Sequence, residues 1–300
     1  LVPGEGPVGL VSDSRVAGIY GMDVQLALAG RIAASHELPQ GEEAKTVAAV
    51  ERLWEALRLE RDGTLLALGG GCTTDAAGFA AAAYLRGINW VAVPTTLVGQ
   101  VDAAIGGKTA IDLPAGKNLV GAFHWPVRTI VDPGTLETLP ESELDNGQAE
   151  LVKTGLLAGE PLWELPLPEA VRRCAAFKTA ICLGDPYDRG ERAQLNLGHT
   201  FAHALEAAAG FELPHGRAVA LGLLAALRLS GLDTRAVEET LRPEPVRVDR
   251  DRAWAALARD KKSVGGVPRL VLLDAPGRPR LGVELPEQDV RAALDSLIDG

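Results

Sequence analysis

Short apolar runs separated by helical patterns constrain this chain more than any other feature. GLVS (9–12), TLLALGG (64–70), WVAVP (90–94) and TIVD (129–132) read as buried strands. Residues 21–34, 42–60 and 75–85 read as helices between them. Parallel strands need a crossover, so strand–helix alternation predicts an open parallel α/β sheet. From about residue 141 the texture changes. Residues 141–158, 168–183, 191–210 and 216–230 carry helical periodicity, RLVLL (269–273) is the one strand signal, and 286–298 form a last amphipathic helix. The expected organisation is an α/β domain over residues 1–138 and a mostly α-helical domain over 139–300, with the boundary in the Pro133–Pro140 stretch.

The glycines of LLALGGGCTTDAAGF fall at a strand end, just before a helix. Gly69, Gly70 and Gly71 would let backbone N–H groups approach a pyrophosphate, and a helix N-terminus favours the anion. The spacing is not GxGxxG, and a bare glycine turn is equally a tight turn. Asp13 ends the first strand, where a carboxylate can meet ribose hydroxyls, and VPTTL sets Thr95 and Thr96 at another strand end. Together they fit a dinucleotide at the rim of the sheet.

Composition narrows the class. With 47% hydrophobic and 23% charged residues among 300, the chain is globular, and its net charge of −10 argues against nonspecific nucleic-acid binding. No apolar run reaches the roughly 18 residues a membrane span needs. Three cysteines, Cys72, Cys174 and Cys182, form no CxxC pair, and LVPGEGPVG lacks the order of a signal peptide. A reduced, cytoplasmic setting is therefore expected. Cys72 beside the glycine run reads as a small buried residue, not as a reactive thiol.

The polar residues cluster. QVDAAIGGKTAIDLPAGKNLVGAFH (100–124) carries Asp102, Lys108, Lys117, Asn118 and His124 among glycines. Single loop lysines are usually solvated, but lysine and asparagine in a glycine-rich loop suit a phosphate. GGKT is not a P-loop, because GxxxxGK[ST] is absent. In GQAELVKTGLLAG, Glu150 and Lys153 stand three apart, either as a surface ion pair or as a metal-ligating carboxylate beside a functional lysine. LNLGHTFAHALE places His199 and His203 four apart, on one helix face. His215 follows in ELPHGRAV, so three of the chain's five histidines lie within this segment. Glu150, His199 and His215 would make a two-histidine, one-carboxylate set, which leaves an open position on zinc.

These pieces in this order, namely GGGxxxD, YLRG, VPTTLxxQVDxxxGGKT, GKNLVGAFH, AExxK, ERAQLNLGHTFAHALE and PHG, resemble the 3-dehydroquinate synthase family of sugar-phosphate cyclases. The resemblance runs from LVSD to DKK. It implies a Rossmann-like, NAD-binding N-terminal domain, a helical C-terminal domain that binds metal and substrate, zinc (or Co2+) and a homodimer. The implied activity is a phosphate-eliminating lyase of the shikimate pathway, in aromatic amino-acid biosynthesis. It would convert 3-deoxy-D-arabino-heptulosonate 7-phosphate to 3-dehydroquinate and phosphate by transient oxidation with NAD, elimination, re-reduction and aldol closure. Carried over by position, the metal ligands are Glu150, His199 and His215. The NAD contacts are Asp13, Glu42, Lys45, Gly70, Gly71, Asp75, Thr95, Thr96 and Thr138. Lys108, Lys153, Arg192, Asn196 and His203 take catalytic roles, His203 being assigned to substrate and not to metal. Asp102, Lys117, Asn118, Lys178 and Lys261 or Lys262 line the substrate pocket, and Arg86 reaches across the dimer to the partner's phosphate site.

The chain departs from the family in GGGCTTD before Asp75, in KTG where KYG is common, in Arg15 where asparagine is frequent, and in a missing first strand. Alternatives are another sugar-phosphate cyclase, a metal-dependent alcohol or glycerol-phosphate dehydrogenase, and a non-catalytic nucleotide-binding module with structural zinc.

Overall fold

The computed structural model describes residues 2–28, 30–259 and 268–299. The chain divides into two compact units, Leu1–Pro140 and Glu141–Gly300.

The first unit opens with β1 (Val8–Asp13). Asp13 caps the helical segment that follows, its Oδ1 accepting from the backbone N–H of Arg15 and Val16 at 3.0 Å each. That segment is α1 (Ser14–Val16), a π turn (Ala17–Gly21) and α2 (Met22–Ala27). Then come β2 (Ile32–Leu38), α3 (Val47–Ala56), β3 (Thr64–Gly69), α4 (Gly71–Ala83) and β4 (Asn89–Pro94). A β5–β6 hairpin (Lys108–Leu113, Gly116–Phe123) and the short β7 (Arg128–Thr129) complete it. The main sheet runs β2-β1-β3-β4-β7, all pairs parallel. Side chains alternate across it. Val11, Leu65 and Ala67 pack with α3 and α4, whereas Leu10, Leu66 and Leu68 pack under Val16, Tyr20 and Val24 of the α1–α2 segment. Both faces are covered, which is why β1 and β3 read as unbroken apolar runs. Strand order reverses between β1 and β3, so the loops after these strands flank the crevice where open α/β sheets bind ligands.

The second unit holds α5 (Glu141–Ala158), α6 (Leu167–Gly184), α7 (His199–Ala208) and α8 (His215–Leu229). It continues with α9 (Arg235–Leu241), α10 (Arg250–Ala258), the β8–β9 hairpin (Leu270–Ala275, Arg278–Val283) and α11 (Glu287–Asp295). Its core joins Val152 and Leu156 of α5, Phe201 and Leu205 of α7, and Leu221 and Leu224 of α8 with Leu272 of β8 and Leu294 of α11.

The expected parallel sheet and helical second half are present, with four corrections. The helix expected over 21–34 ends at Ala27, and Ile32–Leu38 is an edge strand. The helix expected over 42–60 is a 3-10 turn (Gly41–Lys45) followed by α3, because Thr46 starts the α-helix by capping Ala49 N–H. The helix expected over 191–210 is interrupted. Residues Glu191–Asn196 form a 3-10 turn, Gly198 adopts φ +78°, and α7 begins afresh at His199. The strand expected over TIVD (129–132) is instead Arg128–Thr129, so only Thr129 of that run pairs in the sheet. Among the described residues no helix is long and apolar enough to cross a membrane.

Candidate functional site

Three helices of the second unit bring Glu150, His199 and His215 together. Glu150 lies on α5 and is fully buried. His199 and His215 are the first residues of α7 and α8. Glu150 Oε1 is 3.4 Å from His199 Nε2 and 3.0 Å from His215 Nε2, and the three potential ligand atoms lie within 4.8 Å of one another. Ligands about 2.1 Å from a tetrahedral ion sit roughly 3.4 Å apart, so the donor set fits a divalent metal. Each ring's far nitrogen is also engaged: His199 Nδ1 lies 3.2 Å from Leu197 O and His215 Nδ1 3.0 Å from Glu206 Oε1. The other oxygen of Glu150 pairs with the Lys153 ammonium, itself 2% exposed. Burial alone would raise the Glu150 carboxyl's pKa, but Lys153 and His199 outweigh it and hold the group well below the usual carboxylate range.

Close backbone approaches set this geometry. A Cβ on Gly222 of α8 would lie 2.1 Å from Gly198 O, and one on Gly216 would lie 2.5 Å from Asn146 Cα. Asn146 Oδ1 accepts from Gly216 N–H at 3.0 Å, so α5 caps the helix that begins at His215.

His203 lies one turn beyond His199, exposed, with its ring centroid 5.4 Å away, and it falls outside the ligand group. Lys178 on α6 is buried, as is Arg192, whose Nη1 donates to Pro186 O at 3.2 Å. Asn196 is half-buried and donates to Ala193 O at 2.9 Å. Lys261 and Lys262 lie outside the described residues.

In the first unit, Asp13, Gly70, Gly71, Thr95 and Thr96 gather at the strand ends. Thr95 N–H donates to Gly69 O at 2.9 Å, and a Cβ on Gly70 would meet the Thr96 methyl at 2.9 Å. Thr138 is tied in by Tyr20, whose hydroxyl is 2.7 Å from its Oγ1. Asp102 sits on a π turn (Gly99–Ala103), a distortion frequent at functional sites. Lys45, 4% exposed, donates to Asp75 Oδ2 at 2.9 Å and to Asn118 Oδ1, and lies 4.0 Å from Asp112. Lys117 pairs with Glu42 at 2.7 Å. Asn118 and Lys117, grouped with the substrate residues in the sequence, thus contact Lys45 and Glu42 of the nucleotide set. Lys108 is exposed at the start of β5. His124 has a packing role, with Nε2 2.9 Å from Ile88 O. Arg86 is exposed on a corner where Leu85 (φ 51°) and Arg86 (φ 71°) are both left-handed, before Gly87 (φ 114°).

Lys45→Met leaves Asp75 and Asp112 without their shared cation. The carboxylates left behind are partly exposed, so losing these charged hydrogen bonds costs about 1.5–3 kcal/mol, and the urea midpoint of the first unit's transition is expected to fall. An unchanged midpoint would refute the pairing. Cys72 is expected to resist alkylation. Burial, reinforced by the Glu42 charge, pushes its thiol up to about 12, and Cys174 and Cys182 are fully buried. Iodoacetamide at pH 8 should label no cysteine in the native protein and all three after unfolding. A labelled Cys72 peptide from native protein would contradict this.

Sequence reasoning missed Glu206, Asn146 and the Gly198–Gly222 contact. The seven-residue interval from His199 to Glu206, two helical turns, was the available signal for the first. Nothing local marks the other two.

The chain matches two family models, 3-dehydroquinate synthase N-terminal over residues 35–146 and 3-dehydroquinate synthase C-terminal over residues 147–263. It is 43% identical over 321 residues to a 3-dehydroquinate synthase of Gloeobacter violaceus, covering 96% of this chain and 89% of that one. Its structure is similar to 2-deoxy-scyllo-inosose synthase complexed with carbaglucose-6-phosphate, NAD+ and Co2+, with TM-score 0.84, 26% identity and coverage of 97% and 91%. It is equally similar to 2-epi-5-epi-valiolone synthase from Streptomyces hygroscopicus with NAD+ and Zn2+ bound, with TM-score 0.84, 28% identity and the same coverage, 97% and 91%. With both of its halves matched in order, and a relative this similar along nearly its whole length, the chain belongs to the 3-dehydroquinate synthase family.

Proposed function

We propose that the protein is a 3-dehydroquinate synthase of the shikimate pathway. It converts 3-deoxy-D-arabino-heptulosonate 7-phosphate to 3-dehydroquinate and phosphate, as a carbon–oxygen lyase using catalytic NAD and a divalent metal, zinc or cobalt. It acts as a cytoplasmic homodimer. The observation that carries the reading is the convergence of Glu150, His199 and His215, with Lys153 on the second carboxylate oxygen. Identity of 43% to a named synthase supports it over the cyclases matched at 26% and 28%.

Glu150, His199 and His215 would hold the metal. Asp13, Glu42, Lys45, Gly70, Gly71, Asp75, Thr95, Thr96 and Thr138 would hold NAD. When bound, the metal would supply Lewis-acid polarisation of substrate oxygens and NAD a reversible hydride acceptor, so no net redox change would remain. Lys153 presents an ammonium beside the ligand carboxylate and donates to a substrate hydroxyl. Lys178 and Arg192, both buried, orient hydroxyls and the carboxylate. Lys108, Asn196, Asn118 and Lys261 or Lys262 bind the phosphate, with Asp102 and Lys117 alongside and Arg86 reaching the partner's site. His203 contacts phosphate or moves a proton. The C–O bond to phosphate breaks, the departing phosphate acting as its own base, and aldol closure needs only that the opened chain be held in place.

The test is incubation of the protein with the heptulosonate phosphate, NAD and Zn2+. Dehydroquinate and phosphate are expected in equal amounts without NADH accumulation. Net NADH would instead identify a dehydrogenase, and turnover of glucose 6-phosphate in place of the heptulosonate another cyclase.

A further inference from the structure

Both histidines of the metal group have their Nδ1 engaged, but by different partners. His199, whose side chain is 11% exposed, turns Nδ1 to a backbone carbonyl two residues away, Leu197 O at 3.2 Å. His215 is more open, its side chain 38% exposed, and its Nδ1 meets the carboxylate of Glu206 at 3.0 Å. Glu206 is itself 9% exposed, on α7. A buried carboxylate is expensive unless it is paired, and this one pairs with a histidine of the metal group. Residues 199 and 206 lie two turns apart on one helix face, so α7 supplies one ligand and the support of the other.

We propose that Glu206 is a positioning residue for the metal, acting through His215. It accepts the Nδ1–H, which fixes the ring in the tautomer whose Nε2 lone pair is free to bind the metal. It also holds an imidazole that packing alone leaves loose. His199 needs no such carboxylate, because burial and the start of α7 already fix its ring. The two ligands are therefore unequal: His199 is held by packing and His215 by charge. Carboxylates behind ligating histidines orient the ring and raise its basicity, and their loss typically weakens metal binding by about 10- to 100-fold. This inference rests on the metal site proposed above.

The experiment measures Zn2+ affinity of the full chain by competition with a chelating dye, and the visible spectrum of the Co2+-loaded protein. Glu206→Ala is expected to weaken Zn2+ binding about 10- to 100-fold and to alter the Co2+ bands. Glu206→Gln keeps an acceptor at nearly the same place and is expected to lose about 10-fold or less while still shifting the bands. Should the alanine variant not fold, the glutamine variant alone decides. A purely structural role would lower the melting temperature while leaving Zn2+ affinity within about twofold and the Co2+ spectrum unchanged, and that result overturns the inference. If the unmutated protein binds neither ion, the metal site itself falls and takes the inference with it. Unchanged affinity in the variants of a metal-binding protein refutes the role of Glu206 alone.

Discussion

Glu150→Gln is expected to abolish tight Zn2+ binding, to lower dehydroquinate formation by about 10^3-fold or more, and to destabilise the metal-free protein as well. The first two losses follow from removing the one carboxylate of the metal group. The third has a separate cause. Lys153 is 2% exposed and pairs with Glu150, so the substitution takes a carboxylate away from a buried ammonium, and breaking such a buried pair costs about 3–5 kcal/mol. His199→Gln separates the two effects. It removes a ligand but strands no charge, so metal and turnover should go while the melting temperature of the metal-free protein stays near that of the parent. Adding Lys153→Met to Glu150→Gln should restore most of the lost stability and none of the metal affinity. If Glu150→Gln retained parental Zn2+ affinity, the assignment of this cluster would be wrong.

The largest effect away from the ligands is expected at Gly222. An added methyl there would sit 2.1 Å from Gly198 O and 2.9 Å from Gly198 C, which are backbone atoms with no rotamer to yield. Alanine favours a helix interior over glycine by about 1 kcal/mol. The enforced separation of α7 and α8 opposes that with about 3 kcal/mol or more, the upper end of overpacking costs because the blocking atoms are backbone, so Gly222→Ala should lower the urea midpoint. It should also weaken metal binding, because the two helices carry His199 and His215. Gly184, at the end of α6 with nothing near its missing Cβ, is the control. Gly184→Ala should shift the midpoint by no more than about 0.5 kcal/mol equivalent. Parental stability in Gly222→Ala would mean that the helices do not meet as described.

Elements with a strong periodic signal were legible in the sequence. The helix read at 141–158 matches Glu141–Ala158, and the runs at 64–70 and 90–94 match Thr64–Gly69 and Asn89–Pro94 within a residue. Elements that hide only one face were not. Ile32–Leu38 alternates between half-buried and exposed positions at the sheet edge, and IAASHEL is alanine-rich enough to continue the helical pattern before it. Arg278–Val283 contains a proline and two arginines and is nowhere buried, so RLVLL stood without its hairpin partner. The β5–β6 hairpin is rich in glycine and charge, which read as loop. At the site, the clustering of histidines led to two ligands and the carboxylate to a third. Whether the three converge depends on helix contacts at Gly198, Gly216 and Gly222, and a glycine in sequence carries no record of what approaches it. Glu206 reads as an ordinary polar residue near a helix end until the structure sets His215 against it.

At the corner formed by Leu85 and Arg86 the backbone is strained. Two successive non-glycine residues with positive φ are each costly, by about 1–3 kcal/mol, and persist only where neighbouring structure over-determines them. Here Gly87 N–H bonds Tyr84 O at 2.9 Å and Ile88 N–H bonds Ala81 O at 3.0 Å, pinning the chain on either side. The backbone beneath Arg86 is thus ordered in advance, and if Arg86 binds the phosphate as proposed, binding would have less conformational entropy to remove. On that reading stability and anion affinity would be opposed at this corner: a backbone relaxed into an ordinary conformation would favour the folded state and release the guanidinium into a wider ensemble.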